Sequence, residues 1–356
     1  MMQTNTRHSP RSFWMNSGRH PERSEGSTPP SPEGEGSGMR GNEYHNPVML
    51  TECLEGLQIK PDGVYVDVTF GGGGHSKAIL QHLQTGHLIA FDQDQDAEKN
   101  AQELLKAPFS SGRRAGDEGL DSSFTFIDTN FRLLKKYLRL HNIREVDGIL
   151  ADLGVSSHQF DVPERGFTIR SEGELDMRMD QHATKSAKQV VNEYEEKDLI
   201  HLFSAYGEVK NARTLAREIV STRMNASIET NEQLKALAWK LAPKHREMKY
   251  LAQVFQAIRI EVNEELEALK EFLEQAGEIL KPDGRLVVMS YHSLEDRLVK
   301  NYINKGNFKG VDEKDFYGNS IRILDPVNRK PIIPTAEEIE KNSRARSAKL
   351  RIGRKR

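Results

Sequence analysis

Read for the spacing of its apolar positions, the chain first shows a strand, a glycine turn, a helix and a second strand. Val64-Tyr65-Val66-Asp67-Val68-Thr69-Phe70 is β-branched and aromatic, residues 76 to 83 have helical spacing, and His87-Leu88-Ile89-Ala90-Phe91-Asp92 is an apolar run that ends in an acid. The spacing predicts a βαβ unit. Phe124-Thr125-Phe126-Ile127-Asp128 adds a third strand, reached through a polar insert at residues 110 to 123, and Val146-Asp147-Gly148-Ile149-Leu150-Ala151-Asp152-Leu153-Gly154 a fourth. Strands alternating with helices predict a parallel sheet.

From about residue 158 to 250 the period changes to that of helices. Val209, Ala212, Leu215, Ala216, Ile219 and Val220 recur on one face, and Thr230 with Gln233 forms a capping box ahead of Leu234, Leu237, Ala238 and Leu241. A long helix over residues 254 to 280 is expected to stop at Lys281-Pro282-Asp283-Gly284, a turn that feeds the strand Arg285-Leu286-Val287-Val288-Met289-Ser290. The expected fold class is α/β, a Rossmann-like sheet with an inserted all-helical domain. Its expected boundaries are 43–157 for the first part of the sheet domain, 158–252 for the helical insert and 253–356 for the second part with a basic C-terminal tail.

Composition narrows the classes. Residues 1–42 are rich in Gly, Pro and Ser and contain no Leu, Ile, Val or Ala, so they are expected to be disordered. Met39 stands just before the structured pattern, so residues 1–38 read either as an artefact of start-codon choice or as a functional tail; N-terminal sequencing that found Met1 would overturn the first. No apolar run approaches a membrane span and no secretory signal is visible, so a soluble, cytoplasmic protein is expected. Cys53 is the single cysteine, too few for a disulfide, a multi-thiolate zinc site or an iron–sulfur cluster. With a net charge of -2, any nucleic-acid contact must come from local clusters of Lys and Arg.

The turn Thr69-Phe70-Gly71-Gly72-Gly73-Gly74-His75-Ser76 lets backbone approach a ligand and aims a helix N-terminus at it. A P-loop lysine is missing, since Gly74-His75-Ser76 replaces Gly-Lys-Ser. Asp92 closes the second strand, where a carboxylate can accept from a ribose diol, and Asp152 closes the fourth. NAD and S-adenosylmethionine both carry such a diol, and a glycine turn that serves packing alone is a third reading. The chain shows no Tyr-x-x-x-Lys pair of the kind a hydride enzyme would use.

Longer strings are more specific. His45-Asn46-Pro47-Val48-Met49-Leu50, residues 69 to 76, Asp152-Leu153-Gly154-Val155-Ser156-Ser157-His158-Gln159 and Glu164-Arg165-Gly166-Phe167 resemble blocks of the bacterial 16S rRNA cytosine-N4 methyltransferases, the ribosomal RNA small subunit methyltransferase H family. Leu175-Asp176-Met177-Arg178-Met179-Asp180, residues 255 to 263, Ser290-Tyr291-His292-Ser293-Leu294-Glu295-Asp296-Arg297 and Arg344-Ala345-Arg346-Ser347 complete the likeness, which spans residues 44 to 352. The resemblance implies a class I methyltransferase sheet and S-adenosylmethionine as methyl donor, without a metal. It implies that Gly73, Gly74 and His75 line the cofactor, that Asp92 meets the ribose, that Phe131 and Asp152 flank the adenine and methionine portions, and that Gln159 completes the pocket. The substrate it implies is a cytidine N4 in the decoding region of 16S rRNA, free or in the small ribosomal subunit. His158 departs from a common proline, and the insert at 110–123 is long for the family.

Transfer to the exocyclic amine of cytosine needs an acceptor for its N–H, and Asp152 is the candidate. Carbon-5 chemistry would need a thiolate, and Cys53 reads as a buried small hydrophobe on a helix. Tyr291 and His292 follow the last strand, where an aromatic either stacks on an extruded base or packs at the sheet edge. Residues 341 to 356 carry eight Lys or Arg and no acid, which suits phosphate contact, although residues 348 to 352 also read as a final strand. Lys210, Arg213 and Arg217 read as one helix face. The rivals are other S-adenosylmethionine methyltransferases acting on DNA or protein amines, an NAD-dependent oxidoreductase and a nucleotide-sensing binding module. Dimerisation stays open.

Overall fold

In the computed structural model the described residues are 47–106, 123–170 and 172–356. The expectations for residues 1–42, for the start at Met39, for His45-Asn46 and for most of the 110–123 insert lie outside them. The strands are β1 (Val64–Asp67), β2 (His87–Asp92), β3 (Phe124–Asp128), β4 (Val146–Asp152), β5 (Leu280–Ser290), β6 (Leu324–Pro326) and β7 (Lys349–Lys355). They form one sheet in the order β3-β2-β1-β4-β5-β7-β6. The first five pair in parallel, whereas β7 runs antiparallel between β5 and β6. Helices cover both faces, which is why β1, β2 and β4 are apolar runs rather than alternating ones. This is the Rossmann-like α/β sheet that the spacing predicts.

The helices that pack on it include α1 (Leu50–Leu57), α2 (Gly74–His82), α3 (Gln95–Lys106) and α4 (Leu134–Leu140), and the short α5 (Ser157–Asp161) follows β4 with Phe160 against the helical core. After β4 the chain leaves the sheet for α6 (Ala187–Glu193), α7 (Glu196–Ala205), α8 (Ala212–Arg223), α9 (Asn231–Leu241) and α10 (Glu247–Asn263). These have a hydrophobic core of their own, built on Phe203, Leu215, Ile219, Leu234, Leu251 and Ile258. The capping box of Thr230 and Gln233 starts α9 as the sequence predicts. The chain returns through α11 (Glu265–Ile279) to β5, then runs through α12 (Ser293–Lys305) to β6 and through α13 (Ala336–Lys341) to β7, both at the sheet's edge.

Two local expectations fail for identifiable reasons. The single helix expected over residues 254 to 280 is two, broken at Glu264, which sits at φ 51. Asn263 enforces the break: its amide donates to the Met177 and Arg259 carbonyls and accepts from the Met179 N–H. The turn expected at residues 281 to 284 is a bulge inside β5, whose pairing with β4 jumps from Val146↔Leu280 to Gly148↔Arg285.

Candidate active site

Three parallel strands end in carboxylates at the same edge of the sheet: Asp67 on β1, Asp92 on β2 and Asp152 on β4. Strand order reverses between β1 and β4, and the crevice outside the strands' carboxyl ends at such a switch point is where open α/β sheets take ligands. The glycine turn fills one side of it. Gly73 sits at φ +75, where a Cβ would lie 2.7 Å from Phe70 Cζ, and a Cβ on Gly74 would lie 2.4 Å from Pro47 Cγ. Glycine is therefore required at both positions by packing, and the backbone stays close enough to aim the open first-turn amides of α2 into the crevice. Gly71, at φ +52, would place a Cβ in ordinary contact, 3.8 Å from Ser156 Cβ.

Asp92 accepts the Gly71 N–H at 2.7 Å and the Asp94 N–H at 2.9 Å, one on each oxygen, so it holds the turn in place. Burial pushes its pKa up to about 6. His75 is not a free base. Its Nε2 lies 3.1 Å from the Val48 carbonyl, which places a hydrogen on that nitrogen, and its Nδ1 faces Asp152 Oδ2 at 3.8 Å. Phe131 opens a short 3-10 turn after β3, edge-on to Phe272 at 5.4 Å, beside an Asn130–Gln93 hydrogen bond that ties this turn to the end of β2.

Asp152 is gripped from three sides. Its N–H donates to Thr69 Oγ1 at 2.7 Å, its Oδ1 accepts from the Tyr291 hydroxyl at 2.8 Å, and His75 stands at its Oδ2. With 23% of its side chain exposed it still faces the crevice. Burial, opposed in part by His75 and Tyr291, raises its pKa to about 6. The hydroxyl bond shows that Tyr291 is oriented by Asp152, with its ring packed on the sheet's core. His292 caps α12: its Nδ1 accepts the Glu295 N–H and its Nε2 lies 3.0 Å from Glu295 Oε1 without hydrogen-bond alignment. Its side chain is 9% exposed and committed to that cap, which fits the edge-packing reading.

Gln159 is buried and its amide is committed. It completes the Ser156 capping box and donates to Asp94 Oδ2 at 2.6 Å. Asp94 in turn pairs with buried Arg165, whose guanidinium also donates to Asp96 and to the Arg178 and Met179 carbonyls. Arg165 thus fastens the Met177–Met179 segment over the end of β2, and the Gln93 amide reaches Met179 Sδ. Spacing alone singled out neither this network nor Asp67. Buried Asp67 accepts from Ser76 Oγ at 2.7 Å and from the Thr69 N–H, and so ties the turn to its own strand. The signal for Asp67 was present: an acid closing a buried strand immediately before the glycine turn.

Cys53 is fully buried in α1, and burial followed by the charge of Asp152 drives its thiol well above the usual range. That leaves no thiolate for addition to a ring carbon. Glu265, His292 and Glu295 bring ligand-type atoms within 4.8 Å of one another. Both Glu265 oxygens are taken by Arg259, and the cap bond leaves the His292 ring hydrogen on Nε2, a buried atom with no aligned partner among the described residues.

The C-terminal segment is β7 rather than a free tail. Arg351 and Lys349 pair with Asp296, Arg354 with Asp283 and Asp325, Arg356 with Asp325, Arg344 with Asp161 and Lys341 with Glu337. Most of its charge is spent internally. Lys210 lies in the turn before α8, not on one helix face with Arg213 and Arg217.

A family model described as the MraW methylase family matches residues 42–356. A protein of Flavobacterium johnsoniae named ribosomal RNA small subunit methyltransferase H is 57% identical over 88% of this chain and 98% of its own length. One of the same name from Christiangramia forsetii has the same identity and coverage, and one from Amoebophilus asiaticus is 52% identical over 87% of this chain and 95% of its own.

Proposed function

The chain belongs to the MraW methylase family, and from that premise we propose that it methylates the N4 amine of a cytidine in the decoding region of 16S rRNA, in the cytoplasm, with S-adenosylmethionine as donor. The observation that carries the choice of donor is the charge of the crevice. Asp92 and Asp152 line it with buried Asp67 behind them, and no Lys or Arg is paired to any of the three among the described residues, while Asp94 is neutralised by Arg165. Such a site repels a diphosphate and suits a sulfonium, which disfavours NAD. The rRNA substrate rests on the names of the relatives.

S-adenosylmethionine, when bound, supplies an electrophilic methyl group for in-line displacement. The glycine turn at Gly73 and Gly74 fits its close approach, with His75 behind that turn. Asp92 is the residue for the ribose diol, since each of its oxygens keeps a lone pair beyond the backbone bond it accepts. Phe131 offers an apolar edge for the adenine. Gln159 acts indirectly, by holding Asp94 and the cap of α5. Asp152 binds the amine N–H through Oδ2 while Tyr291 and Thr69 fix its orientation, and it withdraws the proton as the amine becomes cationic. Helices α6 to α10 serve as the substrate-recognition segment.

Mass spectrometry of small-subunit rRNA tests the assignment. Deleting the gene is expected to remove one N4-methyl from decoding-region cytidine, and the intact gene to restore it. A mark that persists without the gene would refute the substrate.

A further inference from the structure

We propose that the phosphate-binding surface for the RNA substrate is the end of the helical segment that abuts α12, carried by Lys210, Arg213, Lys240, Lys244, Arg246 and Lys249. The inference rests on the rRNA reading above and says where that RNA lies. Sequence-distant turns meet at this end. Asn211 donates to the Leu241 carbonyl, joining the start of α8 to the end of α9, and Gln253 of α10 donates to the Glu208 carbonyl. Arg246, Lys249 and Gln253 follow one another at helical i, i+3, i+7 spacing, so the two cations share the face that Gln253 turns toward Glu208.

All six side chains are exposed, and none makes an ion pair or side-chain hydrogen bond among the described residues. The acids of these two turns are occupied. Glu208 meets Ser293 and Arg297 of α12, and Glu247 accepts the His245 N–H. The contrast with residues 341–356 is direct, because there each cation but Arg346 is bonded within the protein among the described residues. Six unpaired cations held close together repel one another and raise the energy of the free protein, a cost that a polyanion removes on binding. Trp239, 46% exposed beside Lys240, adds a face on which an unpaired base can stack.

Position ties the patch to the chemistry. Glu208 contacts the first turn of α12, and the residues just before that helix are the cap His292 and Tyr291, whose hydroxyl holds Asp152. A strand bound along the rim therefore runs past the open side of the carboxylate, where a cytidine turned out of the stack can enter.

The test is salt-dependent binding of a labelled single-stranded RNA oligonucleotide carrying the decoding-region sequence. The full chain is compared with a Lys210→Gln/Arg246→Gln/Lys249→Gln variant and with a Lys309→Gln/Arg329→Gln/Lys330→Gln control that removes equal charge elsewhere. The rim variant is expected to lower the slope of log K against log salt by about 2, roughly 0.7 for each lost phosphate contact. The control is expected to leave the slope unchanged, and both variants to keep the thermal shift given by S-adenosylmethionine. Equal slopes for wild type and rim variant would overturn the proposal while leaving the rRNA reading intact, and equal losses in rim and control would reduce it to net charge. Wild-type protein that methylates subunits lacking the mark, with no salt-dependent RNA affinity, would overturn the rim alone. Failure to methylate them at all would sink the substrate reading beneath it.

Discussion

Asp152→Asn exposes what the site costs the fold. In the folded protein burial lifts the Asp152 pKa to about 6, against about 3.9 for an aspartate in an unfolded chain. At pH 5 about ten in eleven native Asp152 carboxyls hold a proton, against about one in fourteen unfolded ones, so protonation favours the native state by about 1.4 kcal/mol. At pH 8 neither state holds it and the contribution is gone. The sign follows: this stabilisation is present at acid pH and is lost as pH rises through about 6. An amide binds no proton, so the stability of wild type minus that of Asp152→Asn is expected to fall by about 1.4 kcal/mol between pH 5 and pH 8, a factor of about ten in the unfolding constant. Asp92 also titrates near 6 but is common to both proteins and cancels in the difference. Urea unfolding at the two pH values measures it, alongside single-turnover methyl transfer, which the variant is expected to slow sharply without losing the cofactor's thermal shift. A stability difference that stays constant or grows with pH would refute the burial argument. Unchanged turnover would refute the acceptor role.

The remaining expectations concern the shell around that carboxylate. Tyr291→Phe removes a hydrogen bond that favours the ionised form of Asp152, so the acid limb of the pH–rate profile is expected to move upward by about one pH unit, with activity recovering at alkaline pH. A limb that stays in place would show that the hydroxyl has no part in setting the charge. Arg165→Leu leaves Asp94 buried without its cation and is expected to destabilise the protein by about 3–5 kcal/mol in chemical unfolding, whereas a change below about 1 kcal/mol would mean that the network around it is not interior. Gly74→Ala forces a Cβ against Pro47 and is expected both to lower the melting temperature and to weaken S-adenosylmethionine binding by calorimetry; intact affinity would mean that the turn can shift without affecting the pocket.

Legibility in the sequence followed the range of the physical cause. The parallel strands could be read because both faces of each are buried, so their apolar runs carry their own ends, and Asp92 and Asp152 stood out as the acids that stop those runs. The capping box at Thr230 was equally local. What escaped depended on partners far away in the chain. Asn263 breaks a continuous helical pattern because its amide meets Met177 and Met179, more than eighty residues earlier, and no period within residues 254 to 280 records that. The basic C-terminus read as free charge because its neutralising acids, Asp161, Asp283, Asp296 and Asp325, are remote in sequence or belong to other elements. The same cause hid the basic end of the helical segment, where Lys210 and Arg246 come together only through the Asn211 and Gln253 bonds.

Asp152 combines both cases. Its place at the end of β4 is a local fact, but its chemistry is set by Thr69 from the glycine turn, His75 from α2 and Tyr291 from beyond β5, which reach it across 83, 77 and 139 residues of chain. Each partner changes a different property. Thr69 receives the backbone N–H and so fixes the end of the strand, Tyr291 occupies one carboxylate oxygen and favours its charge, and His75 stands behind the other. Burial opposes the charge that Tyr291 and His75 support, and the balance near pH 6 leaves the carboxylate ionised at neutral pH yet close enough to its pKa to take a proton from an amine turning cationic. A surface aspartate at the same strand end would be ionised as well, but too weak a base for that transfer. The enclosure that costs the protein stability is therefore what makes this aspartate useful as an acceptor.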